Sequence, residues 1–147
     1  MILSGHDVLR YIEQGGLMFS PVLSNEQLQQ NGVDLILKEI SEQDGYWLGV
    51  TRETVTMPND LMAFVQIRSS WARRGLFLPP TVIDAGFSGE ITLEIGDFSG
   101  VALANAVGER FAHLIFAKLA SPADPYRGRY QGQTGITKAY EYEGEVD

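Results

Sequence analysis

Residues 66–94 read QIRSSWARRGLFLPPTVIDAGFSGEITLE, and this stretch decides the fold. From Glu90 to Ile95 the sequence alternates: Ile91, Leu93 and Ile95 face one way, and Glu90, Thr92 and Glu94 face the other. A period of two is that of a strand with one buried face, so Glu94 sits on a wet face or in a pocket. Pro79-Pro80 forces an extended turn into Thr81-Val82-Ile83-Asp84,. Asp84 therefore stands at a strand end, held with Ala85-Gly86 in a hairpin. A carboxylate fixed on a rigid turn is a candidate general base. Upstream, Ser69 to Gly75 fits one or two helical turns, with a serine capping the start and Gly75 ending it,. Free N–H groups behind Arg68-Ser69-Ser70 suit an anion. Arg68, Arg73 and Arg74 are donors matched to carboxylates or phosphates. Together the two halves suggest hydrolysis of a phosphorylated small molecule. The alternative is a turn aspartate capping its own backbone, with solvated arginines.

Working outward, the same strand grammar recurs. Phe19 to Leu23 reads as extended, Ser24 to Asn31 as a polar loop, and Gly32 to Leu37 as a strand,. Asp34 in that strand reads as a turn or bulge residue at its start. Thr51 to Thr56 and Leu61 to Ile67 are further strands, and Val101 to Leu103 a short one. Phe111 to Leu119 is a long apolar strand, with Ala112, Leu114 and Phe116 on one face and His113, Ile115, Ala117 and Leu119 on the other. His113 there reads as a hydrogen-bonded core or interface histidine. One helix opens the chain: Ser4 caps it, Asp7 completes the box, Val8, Leu9 and Ile12 form its apolar face, and Gly15-Gly16 ends it,. His6, in its first turn, is expected to be exposed. Short strands punctuated by glycine and proline argue for a mainly β sandwich or barrel. After Ser121-Pro122 the chain becomes polar and glycine-rich, and Glu141 to Asp147 reads as a frayed end,. The expected division is a β domain over 1–125 and a flexible arm over 126–147.

Composition narrows the chemistry. At 147 residues the chain reads as one domain able to bury a core,. Without cysteine there are no disulfides or thiolate metal sites, and a zinc deaminase centre of the His/Cys/Cys or Cys₃ type is excluded,. No G-x-S-x-G elbow appears. Gly128 to Gly135 has glycines and amides fit for phosphate but no lysine in the P-loop position,. The net charge of −8 argues against a nucleic-acid polymer as partner,. Yet five of the eight arginines fall in two clusters, Arg68/Arg73/Arg74 and Arg127/Arg129, which fits a small anionic ligand. No apolar run reaches membrane length and no signal pattern appears, so a cytoplasmic protein is expected.

Five segments, in order, resemble the dUTPase and dCTP deaminase superfamily, and most of all its short archaeal-type dUTPases. They are Gly32-Val33-Asp34-Leu35, Arg68-Ser69-Ser70, Ile83 to Glu94, Gly108-Glu109-Arg110-Phe111-Ala112 and Arg129 to Gly135. The resemblance implies a distorted jelly-roll β-barrel, assembled as a homotrimer with active sites between subunits. It implies that Asp84 activates a water and that Phe87 packs under deoxyribose. Backbone groups around Thr81, Val82 and Gly86 would read the base. Arg68, Ser69 and Ser70, with Arg73 beside them, would hold phosphates for a neighbouring subunit. Arg129, Tyr130 and Gln133 would close over the nucleotide, and Mg²⁺ would bind mainly through the triphosphate and water, with no metal ligand assigned to the chain. The implied reaction is dUTP to dUMP and pyrophosphate.

Two departures bear on the branch. His113 stands where the family usually has glutamine. The bridge Phe77 to Val82 is shorter by about two residues than in similar deaminases, which carry a Thr-Ala pair there. Glu94 nevertheless matches the glutamate with which deaminases move a proton at the base. A dCTP deaminase, or a bifunctional enzyme using Glu94, is therefore the alternative, and a catalytically silent nucleotide-binding relative the third.

Overall fold

The computed structural model describes residues 1–100 and 103–141. Its elements are α1 (Gly5–Glu13), β1 (Met18–Ser20), β2 (Leu28–Gln29), β3 (Gly32–Glu42), β4 (Trp47–Thr56) and β5 (Leu61–Ile67), then α2 (Ser69–Ala72), β6 (Leu76–Phe77), β7 (Thr81–Ile83), β8 (Ser88–Asp97), α3 (Leu103–Ala106) and β9 (Arg110–Lys118). Seven strands run in the order β6-β8-β4-β3-β9-β5-β7, with β1 added beside β4 and β2 beside β3. The long pairings are antiparallel.

The sheet curls because three of its ladders slip. Register shifts occur between Leu37 and Glu39 against β4, between Leu35 and Ile36 against β9, and between Val50 and Thr54 where β4 meets β8. Each bulge bends its strand and increases local twist, so the sheet wraps into a half-barrel. Alternating residues fill the interior: Leu35, Leu37, Leu93, Ile95, Phe111, Leu114 and Phe116 are all buried. One bulge is stapled by a buried carboxylate. Ile36 N–H donates to Glu53 at 2.9 Å (Oε1) and 3.1 Å (Oε2). Burial pushes the Glu53 carboxyl up, against the opposing pull of that N–H and of Arg52,.

The opening helix forms as its sequence predicts. The Ser4 hydroxyl accepts from Asp7 N–H, the Asp7 carboxylate accepts from Ser4 N–H, and Arg10 pairs with Asp7. Val8 is buried, but Leu9 is 38% exposed and lies off the packed face. His6 is exposed, as expected.

Several expectations need correction. The Ser24 to Asn31 loop contains β2, which pairs with the start of β3. The residue before α2 is Arg68, and no side chain caps it, so neither serine does so. Asp84 is not in a hairpin: β7 pairs with β5, whereas β8 pairs with β4 and β6, so the Asp84–Phe87 turn carries the chain between distant parts of the sheet. Asp34 is not a turn residue but a buried ionic centre within β3. The expected strand Val101 to Leu103 lies partly outside the described residues, and Leu103 opens α3. Of the expected frayed end, residues 142–147 lie outside the described residues. Among the described residues no helix is long and apolar enough to cross a membrane.

Residues 131–137 lie docked along the part of the β8 edge that β6 leaves unpaired. Gly132 N–H donates to Ser88 O at 2.7 Å, Glu90 N–H to Gln133 O at 2.9 Å, and Thr137 N–H to Thr92 Oγ1 at 3.2 Å. The arm therefore runs in the same direction as β8.

Candidate active site

A cavity of about 500 Å³ opens where β7, the Asp84 turn, β8 and the arm converge. Thr81, Val82, Asp84, Phe87, Glu94, Tyr130 and Gln133, all anticipated, line it. Gln43, Tyr46, Thr92, Tyr126, Lys138 and Tyr140, which sequence reasoning missed, line it as well. Their backbone neighbours place them there. Tyr46 lies at the β3–β4 turn next to Trp47, which pairs with Ile95, and Tyr126 is fixed by its N–H bond of 2.9 Å to Ala85 O.

Asp84 directly follows Ile83, a buried residue that pairs with Ala63 of β5. Its own side chain is exposed, and it makes no hydrogen bond among the described residues. The carboxylate does not cap its turn; Phe87 N–H instead donates to Asp84 backbone O at 3.2 Å. The turn closes through Gly86 at φ +79°, where an added Cβ would come within 2.7 Å of Pro125 Cα. Only glycine accommodates both the left-handed backbone and the arm that crosses it. Phe87 is buried beneath the pocket, its ring edge-on to Tyr126 at 5.5 Å. Glu94, on the pocket-facing side of β8, is also without a hydrogen-bond partner among the described residues. β7 ends the strand order, so among the described residues one side of its backbone has no strand beside it,.

The arm closes one wall. The Gln131 side chain accepts from Ser88 N–H at 2.7 Å and donates to Gly86 O at 3.0 Å. Gln133 Nε2 donates to Glu90 O at 2.8 Å. Arg129 does not line the cavity; it stacks on Tyr140, which does, at 3.4 Å. Tyr140 N–H in turn donates to Tyr130 Oη at 3.1 Å.

The phosphate-type residues lie elsewhere. Arg68, Ser69, Ser70 and Arg73 do not line the pocket of their own chain. Trp71, buried and donating from Nε1 to Arg110 O at 2.9 Å, pins α2 so that Ser69, Ser70 and Arg73 face outward. Arg68 is organised by Asp34, whose Oδ2 lies 3.0 Å from Arg68 Nε and 3.4 Å from Arg110, while Oδ1 meets His113 Nδ1 at 2.8 Å. His113 is thus a partly exposed, carboxylate-bound imidazole, which agrees with its expected hydrogen-bonded role. Lys138 is the one lysine or arginine lining the cavity among the described residues, against the carboxylates of Asp84, Glu94 and Glu141. Within one chain, the carboxylates and the main cationic cluster are therefore on separate surfaces.

The comparisons agree with this architecture. The dCTP deaminase-like family model matches residues 38–119, and the chain belongs to that family. A dCTP deaminase of Acidianus ambivalens is 41% identical over 93% of this chain and 96% of its own length. A probable deoxyuridine 5'-triphosphate nucleotidohydrolase of Sulfolobus islandicus rod-shaped virus 1 is 39% identical over 96% of this chain and 99% of its own. Among solved structures, the 2'-deoxycytidine 5'-triphosphate deaminase of Agrobacterium tumefaciens superposes with a TM-score of 0.61 at 17% identity, covering 81% of this chain and 48% of that one. A Staphylococcus bacteriophage 80alpha dUTPase bound to dUpNHpp superposes with a TM-score of 0.56 at 15% identity, covering 89% and 92%. The fold is the dUTPase-like β fold, and the family is one of dCTP deaminases and dUTPases.

Proposed function

We propose that the chain is a dUTP diphosphatase. Water, held and deprotonated by Asp84, attacks the α-phosphorus of dUTP; the bond to the bridging oxygen breaks, and dUMP and pyrophosphate leave. The observation that carries this reading is the state of Asp84: an exposed carboxylate at the end of a paired strand, on the pocket, with no partner among the described residues. A base must be free to take a proton and rigid enough to aim it. Phe87 would support the deoxyribose, the free edge of β7 would take the uracil, and Tyr130 and Gln133 would cover them.

A triphosphate in this pocket needs more positive charge than Lys138 supplies. Arg68, Ser69, Ser70 and Arg73 would provide it from a neighbouring copy, which supports a homotrimer with shared sites. Among the described residues no cluster of three His, Asp or Glu could cage a metal. That donor set fits Mg²⁺ carried in on the triphosphate with its waters, where it would neutralise phosphate charge. We place the protein in the cytoplasm with its nucleotide substrate.

The alignment lengths support the choice of branch. That with the Acidianus deaminase spans 169 positions and that with the viral nucleotidohydrolase 159, against 147 residues here, so the deaminase carries more sequence that this chain lacks. The second reading, a dCTP deaminase or bifunctional enzyme, is favoured by Glu94 on the pocket wall and by the names of most of the relatives. Incubation with dUTP and with dCTP, each with Mg²⁺, separates them. Pyrophosphate from dUTP with no ammonia from dCTP is expected. Ammonia released from dCTP at a comparable rate would overturn the exclusive assignment, and nucleotide binding without turnover would show a silent relative.

A further inference from the structure

Glu90 has no place in the chemistry above, yet both its backbone and its side chain reach beyond β8. It is only 7% exposed, unusual for a carboxylate,. Its backbone and side chain both bind the arm. Glu90 N–H donates to Gln133 O at 2.9 Å, and Gln133 Nε2 donates back to Glu90 O at 2.8 Å. The side chain then spans two elements: Oε1 accepts from Gly135 N–H at 3.0 Å, and Oε2 lies 3.4 Å from Lys38 Nζ on β3. The backbone of neighbouring Gly89 admits this approach, since an added Cβ would sit 3.0 Å from Gln133 O. Three contacts to the arm, between Gln133 and Gly135, and one to Lys38 thus converge on Glu90. Gln133 and Gly135 are on a segment with few buried aliphatic side chains, so hydrogen bonds must hold it. A bond to a charged acceptor is roughly twice as strong as a neutral one.

We propose that Glu90, braced by Lys38, is a latch and a positioning residue: it clamps Gly135 and thereby holds Gln133 and Tyr130 against the pocket. This rests on the reading that the pocket takes a nucleotide, but the latch acts whether or not one is bound. When the arm lifts, the carboxylate returns to water and loses little, so the closure is reversible. Loss of the latch raises the cost of closing, which bound nucleotide then has to supply. Its absence weakens binding more than it slows the bound complex.

The test uses the full-length protein with Glu90→Ala, Glu90→Gln and Lys38→Ala. Trypsin cleavage after Arg127, Arg129 and Lys138 is followed without nucleotide, at low protease, where the rate tracks the open population. Glu90→Ala should be cut on the order of tenfold faster, the weight of one hydrogen bond to a charged group. Glu90→Gln, which keeps an acceptor for Gly135, should recover most of the protection, and Lys38→Ala should fall between. With dUTP, KM should rise in the same order while kcat stays within about twofold. Thermal unfolding of the β domain should be unchanged in all three. Cleavage of Glu90→Ala at the wild-type rate overturns the proposal. So does equal loss of protection in the Ala and Gln variants accompanied by a lowered melting temperature, which marks Glu90 as a fold residue only. Failure of dUTP turnover with the cleavage order intact would sink the dUTPase reading and leave the latch standing.

Discussion

Arg68 Nε lies 3.0 Å from Asp34 Oδ2, and Asp34 is almost fully buried. The same carboxylate holds Arg110 and His113, so four residues from β3, β9 and the start of α2 form one centre. Removing a buried ion leaves its partners uncompensated, at a cost of roughly 3–5 kcal/mol. Arg68 and Arg110 keep 29% and 30% side-chain exposure, and hydration softens that cost,. Asp34→Ala should therefore lose about 3 kcal/mol of unfolding free energy in urea, and its affinity for a non-hydrolysable dUTP analogue should fall more than its affinity for dUMP. Equal losses for both nucleotides would show that Asp34 supports the sheet without aiming Arg68.

Glu53 gives a pH signature. Its folded pKa is raised above the ordinary value of 4.5 because burial disfavours the charge. Between the unfolded and folded pKa the native state binds more protons than the unfolded state, so stability falls as pH rises through that window. Asp7 has a lowered pKa, held down mainly by hydrogen bonds from Ser4; burial pushes the Asp97 carboxyl up, but the hydrogen bonds from Ser99 and Gly100 together outweigh it and leave its pKa lowered. Their contribution is present above 3.8 and is lost as pH falls below it, so the windows do not overlap. Unfolding free energy measured upward from about pH 4.5 should decline in the wild type. It should decline less in Glu53→Gln, whose amide oxygen still accepts from Ile36. A wild-type curve that rises over this range would contradict the assignment.

The outer face of β5, β7 and β9 is uncovered in the single chain. Phe64 faces Val82 and Ile115 across the ladders, with Phe64 38% and Val82 51% exposed, and Ile2 beside Ala117 is 57% exposed. A connected apolar strip of this kind is the surface that a contact between copies of the chain would cover. Light scattering should give about three times the chain mass of 16.2 kDa,. A mass near one chain would refute both the trimer and the shared site.

The legible part of this protein is what repeats locally. The alternation in β8 placed Ile91, Leu93 and Ile95 inside and Glu94 on the pocket side, because period two is enforced by the pleat,. Asp84 was legible as the end of a strand next to a glycine turn. The hairpin expected there was not found, because choosing β5 and β4 as partners depends on residues far along the chain. Glu90 escaped notice for the same reason: its side chain meets Lys38 and Gly135, which no local pattern connects to it. Where the arm docks was not legible either, because its contacts with β8 are backbone and amide bonds, which composition does not register. The separation of Arg68, Ser69, Ser70 and Arg73 from the pocket could not be read from their closeness in sequence to Asp84.

The central claim is that Asp84, not Glu94, serves the attacking water, and the most direct measurement compares Asp84→Asn with Glu94→Gln on dUTP, with nucleotide binding followed in parallel. Asp84→Asn keeps the shape and loses the base, so turnover should fall by on the order of 10²-fold or more while nucleotide still binds. Glu94→Gln should cost less. A larger loss from Glu94→Gln than from Asp84→Asn would contradict the account and assign the reaction to the other carboxylate.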